Sequence, residues 1–217
     1  MDMEYFSFLW KGILLGIHAG ISPGPVTTLL VTESLLHGSR AGMKIAFIPV
    51  LTDIPVICII IPLLYYLTFD ATVVIAVISM IGALILCGLS YESFSVTESR
   101  YEQGEVARVS LLKAVGMNFF NPNLYLYWIT ICGPLAVSGL SRGWATMFSF
   151  LIMFYVSITL VKLGLSLAVG SVRHSLNLKV IVWINRLLGA AMLLFAILFF
   201  RQGFQILISE ITVRFSK

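Results

Sequence analysis

Charged side chains are scarce in this chain: aspartate, glutamate, lysine and arginine make up 11% of its 217 residues, whereas 59% of residues are hydrophobic. Soluble domains are about one quarter charged and about 45–50% apolar. The mean hydropathy of +1.00 therefore excludes an ordinary water-soluble domain. It predicts a single all-α membrane domain over residues 1–217. The chain is long enough for several crossings, because one span needs about 20 apolar residues.

Cysteine and histidine are also rare, with three of each in the chain. Cys58, Cys87 and Cys132 stand in apolar runs without paired spacing. This pattern predicts small buried side chains rather than disulfides or metal ligands. Only one histidine, His18, falls inside an apolar run. We therefore expect no metal site. An enzyme or an electron carrier is disfavoured, because either would need clustered ligands or nucleophiles within the spans.

Six apolar segments predict six transmembrane helices. They cover about residues 5–31, 45–67, 71–89, 111–137, 144–170 and 181–200. The first follows an acidic start with no small-residue cleavage site, so we expect a retained span rather than a signal peptide. Lysine and arginine concentrate in the first, third and fifth links between spans. The positive-inside rule then places these odd-numbered links in the cytoplasm and both termini outside. The net charge of +4 accordingly reflects orientation and not a nucleic-acid partner.

The first predicted span is interrupted at Pro23-Gly24-Pro25. Proline removes a backbone donor, and the freed carbonyls need partners where hydrocarbon offers none. One interpretation is a simple kink, because proline and glycine are common in membrane helices. The other is a broken helix that exposes backbone groups to a substrate.

The fourth predicted span carries a second break at Pro122, between Asn121 and Asn123, with Asn118 one turn earlier. Three side-chain amides at membrane depth need hydrogen-bond partners. Hydrogen bonding between helices would satisfy them without any function. The first and the fourth spans are then both interrupted, in corresponding halves of the chain. This correspondence favours a substrate site at the Asn-Pro-Asn segment.

These paired breaks predict two inverted three-helix repeats, residues 5–90 and 111–200, joined by a charged loop over 91–110. Helices 1 and 4 are the broken ones. Asp53 in the second span and Lys162 in the fifth occupy counterpart spans under this repeat. Ionisable residues at such depth are expensive and indicate function by default. The alternatives are a local cap for Asp53 and a lysine that extends to the headgroups.

Five motifs occur in a fixed order along the chain. They are Pro23-Gly24-Pro25, the Gly38, Arg40 and Gly42 set, Asp53, Asn121-Pro122, and Asn185-Arg186-Leu187-Leu188-Gly189. This order resembles the LysE/RhtB family of amino-acid exporters, the lysine and homoserine/threonine efflux type, over nearly the whole chain. The resemblance implies a secondary-active efflux carrier in the cell (inner) membrane rather than an enzyme. It also implies a proton or cation gradient as driving force and no cofactor.

The chain departs from the family pattern at two places. Asn123 stands where the family motif often has lysine, and Lys162 is a candidate for the compensating cation. Pro49 and Thr52 occupy a stretch beside Asp53 that the family usually fills with glycine.

The expected mechanism is alternating access around a site at the two helix breaks. Backbone donors at Pro23-Gly24-Pro25 or Asn121-Pro122-Asn123 would bind a substrate carboxylate, side-chain amides would orient the amino group, and Asp53 would couple a proton or cation. A channel or a non-transporting membrane helper subunit is the alternative. Glycines at positions 12, 16 and 20 permit close helix packing, either within the lipid-embedded chain or between protomers of a homo-oligomer.

Overall fold

The computed structural model describes residues 2–66, 72–104 and 106–215, and the regular structure of this part is entirely helical. The α-helices are α1 (Asp2–Ile21), α2 (Pro25–His37), α3 (Ser39–Ala46), α4 (Ile48–Tyr66), α5 (Thr72–Phe94), α6 (Glu98–Glu102), α7 (Leu111–Phe119), α8 (Pro122–Tyr127), α9 (Gly133–Leu140), α10 (Trp144–Val172) and α11 (Leu178–Phe215). A π-helical turn, Trp128–Cys132, joins α8 to α9, and a 3-10 turn, Arg173–Ser175, follows α10.

Five helical stretches of the described chain are long and apolar enough to cross a membrane, or six if a bent pair of helices is one span. The five are Ser39–Tyr65, Ala76–Phe94, Pro122–Leu140, Trp144–Val172 and Leu178–Ser209. The bent pair joins Tyr5–Ile21 to Pro25–His37 at an angle of 59°. The prediction of an all-α membrane protein is confirmed. The predicted start of the third span, residue 71, lies outside the described residues.

The helix boundaries follow from local sequence. Pro25 is the first residue of α2, where its missing N–H is harmless. Gly38 separates α2 from α3 with a φ of +88°, a conformation that favours glycine. The residues between the first two predicted spans are therefore helical on both sides of Gly38. Ser110 caps α7 by accepting a hydrogen bond from the Lys113 amide at 3.2 Å. Within the predicted 91–110 loop, the chain forms α6.

The glycine stripe of α1 packs inside the molecule, against α10. A Cβ atom at Gly12 would meet the Phe150 carbonyl at 2.5 Å, and one at Gly20 would meet the Val161 Cβ at 2.7 Å. A Cβ at Gly16 would overlap the Phe154 carbonyl. The small residues thus let two long helices approach closely, as is common in membranes. The stripe is occupied within one chain and is not a free surface for a second protomer.

A second close contact holds α2 and α3 against α10. Ser166 donates a hydrogen bond to the Ser39 carbonyl at 2.8 Å, so Ser34 is the donor in its 3.0 Å bond to Ser166. Ser34 and Ser166 are fully buried. A Cβ atom at Gly42 would overlap both serine hydroxyls, and one at Gly170 would overlap Ser39. We call these five residues the serine–glycine seam.

Residues of the first, third and fifth links lie at one end of the bundle. The His37 ring bonds to the Val106 carbonyl at 3.1 Å, and Arg173 donates to the Tyr101 hydroxyl at 3.0 Å. The first and the fifth of these lysine- and arginine-rich links therefore each contact the third, at the same end of the bundle.

The prediction for cysteine is wrong at two of three positions. Cys132 is buried, but Cys58 and Cys87 are exposed on the outside of the helical bundle. An apolar run cannot distinguish a side chain that faces lipid from one that faces protein, because both environments favour the same residues.

Candidate functional site

A cavity of about 190 Å³ lies between the two helix breaks. Eight of the nine site residues predicted from the sequence line it. They are Pro23, Gly24, Pro25, Asp53, Asn118, Asn121, Asn123 and Lys162. The ninth, Pro122, is buried as the first residue of α8, next to the lining. The fold thus brings together residues that are 139 positions apart at most, from Pro23 to Lys162.

The first break leaves a short extended segment between α1 and α2. Gly24 has an extended backbone (φ −169°) and precedes α2 without any side-chain cap. A Cβ atom placed on Gly24 would find no neighbour within 4 Å, so this backbone faces open space. The first N–H groups of a helix carry partial positive charge and bind anions. The start of α2 therefore offers backbone donors to the cavity.

Lys162 reaches this break from α10. Its side chain is 2% exposed, and its Nζ donates to the Thr27 hydroxyl at 2.9 Å and to the Gly20 carbonyl at 3.5 Å. Gly20 belongs to the last turn of α1, whose carbonyls lack partners within the helix. The Thr27 hydroxyl in turn donates to the Ser22 carbonyl at 3.0 Å. The buried ammonium group therefore joins both sides of the first break.

Asp53 lies on α4 and is 4% exposed. Its Oδ1 accepts from the Thr52 hydroxyl at 3.1 Å and from the Asn118 amide at 3.4 Å. Its Oδ2 accepts from the Trp128 indole N–H at 3.3 Å. The Asn118 amide also donates to Thr52 at 2.5 Å. Donors from three segments thus converge on one carboxyl group, and both its oxygens are hydrogen-bonded.

Asp53 and Lys162 line the same cavity but bind different partners. In the described chain, no hydrogen bond joins the two side chains. The lysine bonds go to the first break, and those of the aspartate go to Thr52 on α4, to α7 and to the π-helical turn. The cavity therefore has a cationic wall and an acidic wall at separate places.

The three asparagines have different surroundings. Asn118 is buried and bonded to the Asp53 region, as described above. Asn121 caps α8, because its side-chain Oδ1 accepts a hydrogen bond from the backbone N–H of Asn123 at 3.0 Å. Asn123 is exposed and has Pro122 before it. The second break is therefore a capped helix start with Pro122 in the first position, which is the usual place for proline.

Sequence analysis missed an aromatic wall on the side of α8 and α10. Trp128 is fully buried, lies edge-on to Phe154 with ring centroids 5.6 Å apart, and stacks on Tyr155 at 6.3 Å. Trp128, Tyr127 and Phe154 all line the cavity. The only available signal was the aromatic cluster directly after the Asn-Pro motif. The π-helical turn that begins at Trp128 leaves no mark in the sequence pattern, although such turns often occur at functional sites.

The geometry defines what the site can bind. One ammonium group and backbone N–H donors suit an anion, one carboxyl group suits a cation or a proton, and aromatic rings border the space between them. The described residues contain no group of three or more histidine, cysteine, aspartate or glutamate side chains arranged to hold a metal ion.

Membrane-crossing helices with two interruptions around a buried polar cavity are the architecture of a membrane transport protein. The family model of the LysE type translocator matches residues 17–203. The chain therefore belongs to the LysE type translocator family, and the resemblance drawn from its motifs is confirmed. This is a family of transporters and not of enzymes. Comparison with curated proteins and with solved structures gave no match.

Proposed function

We propose that the protein is a secondary-active exporter of amino acids or related small solutes across the cell (inner) membrane. The observation that carries the proposal is the cavity between the two helix breaks, with the buried ammonium of Lys162 on one side and the buried carboxyl of Asp53 on the other. Family membership supports transport. A small cavity with one basic and one acidic side chain favours a substrate that carries both a negative and a positive group.

Substrate recognition follows from the position of each group. The substrate carboxylate binds near Lys162 and the first amides of α2, where positive charge collects. The substrate amino group lies toward Asp53 and the side-chain amides of Asn118 and Asn121. The aromatic rings of Trp128 and its neighbours exclude water from the space between, which strengthens both interactions.

Asp53 is the group we assign to gradient coupling. Among the described residues of the lining it alone carries a carboxyl group, and a carboxyl group can take up a proton on one side of the membrane and release it on the other. The charged carboxylate attracts the substrate amino group more strongly than the protonated, neutral carboxyl group does. Proton uptake and substrate release are thereby linked at one site.

Alternating access requires that the cavity is closed toward one side at a time. The serine–glycine seam holds α2 and α3 directly against α10 and supports a closed barrier at the end where the three basic links meet. We assign this end to the cytoplasm and the termini to the outside, because the lysine and arginine residues concentrate there. Two inverted repeats around the breaks complete the proposal.

The proposal is tested by efflux from vesicles that contain the purified protein and a panel of labelled amino acids. We expect saturable efflux of at least one solute, faster with a proton gradient than without, and none from protein-free vesicles. Efflux that rises linearly with concentration would instead identify a channel. No efflux of any tested amino acid from folded protein would contradict amino-acid export and favour the helper-subunit alternative.

A further inference from the structure

A second polar cavity, of about 450 Å³, lies between α2, α3 and the segment that leads into α7. It shares no lining residue with the candidate substrate site. Three side chains of its lining are basic: Arg40 and Lys44, one turn apart on α3, and Arg108. We call it the basic cavity.

The charges of the basic cavity are not balanced within the described chain. The ion pair in the described chain joins Lys113 to Glu92, and neither residue lines this cavity. Glu33 is the only acidic residue among the described residues of the lining. It is 3% exposed, and its Oε1 accepts a hydrogen bond from the backbone N–H of Val109 at 3.0 Å. His37, also in the lining, uses its Nε2 for the Val106 carbonyl. Among the described residues, the lining thus has three basic side chains and one acidic side chain that is already hydrogen-bonded, so basic residues are in excess.

Exposed apolar surface begins directly beside these cations. Arg40, Lys44, Phe47 and Leu51 follow one another at intervals of three to four residues, so they form one stripe along the span Ser39–Tyr65. Phe47 and Leu51 are 48% and 54% exposed. Across the cavity, Leu111 is 51% exposed at the start of α7. Charge at the end of a membrane span therefore passes into apolar surface on both sides of the cavity.

We propose that the basic cavity binds the phosphate of an anionic phospholipid, with the acyl chains along Phe47, Leu51 and Leu111. The guanidinium of Arg108 or Arg40 suits bidentate bonding to a phosphate, and basic pockets between membrane helices bind anionic headgroups. Orientation by the positive-inside rule alone needs cations in the links, but it does not require them to converge on a cavity with apolar borders. A free phosphate ion shares the headgroup chemistry but not the chain contacts.

The test is a titration of the purified full-length protein in uncharged detergent, read by native mass spectrometry. The probes are a short-chain phosphatidylglycerol, the phosphatidylcholine with the same chains, and inorganic phosphate. We expect phosphatidylglycerol to bind at least about tenfold more tightly than either other probe, since charge-assisted hydrogen bonds and chain contacts act together.

Two variants with equal loss of charge locate the site. Arg108→Gln should weaken phosphatidylglycerol binding about five- to tenfold. Arg100→Gln should not, because Arg100 lies outside the cavity and donates to the Ser95 carbonyl at 3.1 Å. Equal binding of the two lipids to the unmodified protein, or equal losses in both variants, would overturn the proposal. Inorganic phosphate that binds as tightly as the lipid would also overturn it. The lipid comparison needs no variant, so it decides even if a substituted protein misfolds.

Discussion

Replacement of Lys162 by methionine separates a transport role of this lysine from a structural one. The substitution keeps an unbranched apolar stem of similar length and removes only the ammonium group. In the structure Lys162 is 2% exposed, and its ammonium group is bonded to Thr27 and Gly20 at the first helix break. We expect transport to be lost while the protein stays folded and abundant in the membrane.

The expected change in folding stability is smaller than the expected loss of substrate binding, so the two effects can be distinguished. For folding, loss of the charge-assisted bond to Thr27 costs about 1.5–3 kcal/mol. The variant also no longer buries a cation that lacks an acidic partner. Because desolvation of such a cation costs several kcal/mol, this gain offsets the lost bond. The unfolding free energy should therefore change by about 2 kcal/mol or less. For substrate binding, loss of the partner of a desolvated carboxylate costs about 2–5 kcal/mol, which is about 30- to 5,000-fold in affinity.

The assay is initial efflux from vesicles over a range of internal substrate concentrations, with thermal melting of the same preparations. Lys11→Met is the matched control, because Lys11 is an exposed lysine of α1 whose ammonium lies 4.6 Å from the Phe8 ring centroid. Thr27→Val removes the hydrogen-bond partner but keeps the cation, and its effect should be smaller. Unchanged efflux from Lys162→Met would refute our assignment. Lost efflux together with lost folding, restored by Lys162→Arg in both respects, would show a structural role instead.

Two further predictions concern helix packing. Gly16→Ala should destabilise the protein by about 1–3 kcal/mol, since the added methyl group overlaps the Phe154 carbonyl. Gly164→Ala, with no atom within 4 Å of the new Cβ, should be neutral or slightly stabilising in the same melting experiment, and equal effects would contradict the packing argument. A disulfide between Ser34→Cys and Ser166→Cys, whose hydroxyl oxygens lie 3.0 Å apart, should stop efflux until it is reduced. Full efflux from the oxidised double variant would show that the seam does not open.

The sequence was most informative where membrane physics leaves few alternatives. A proline at membrane depth removes a backbone hydrogen-bond donor, and a charge there must face protein or water. Pro23, Pro25, Asp53 and Lys162 were therefore predicted to face the interior of the protein, and the structure places them around one cavity. The roles that we assign to them remain proposals. Pro55 and Pro62 lie inside the continuous helix α4, so the breaks at Pro23-Gly24-Pro25 and Pro122 are not explained by proline alone.

The remaining features depend on tertiary contacts that residue type does not encode. Trp128 bonds to Asp53 from the first residue of a π-helical turn, and periodicity does not reveal such a turn. The glycine stripe of α1 predicted close packing but not the identity of its partner, α10. Asn185, in the motif of the sixth predicted span, is fully buried and donates to the Ser93 carbonyl at 2.8 Å, a tertiary contact that the motif does not reveal.

The most direct measurement is efflux from vesicles that contain either the unmodified protein or Asp53→Asn, each with and without a proton gradient. Asparagine has nearly the same shape and keeps an oxygen for the Trp128 indole, but it cannot bind and release a proton at this position. We predict that the gradient accelerates efflux by the unmodified protein and has no effect on the variant, which either stops or transports without coupling. Full gradient-driven efflux from Asp53→Asn would contradict the proposal that this carboxyl group couples transport to the gradient.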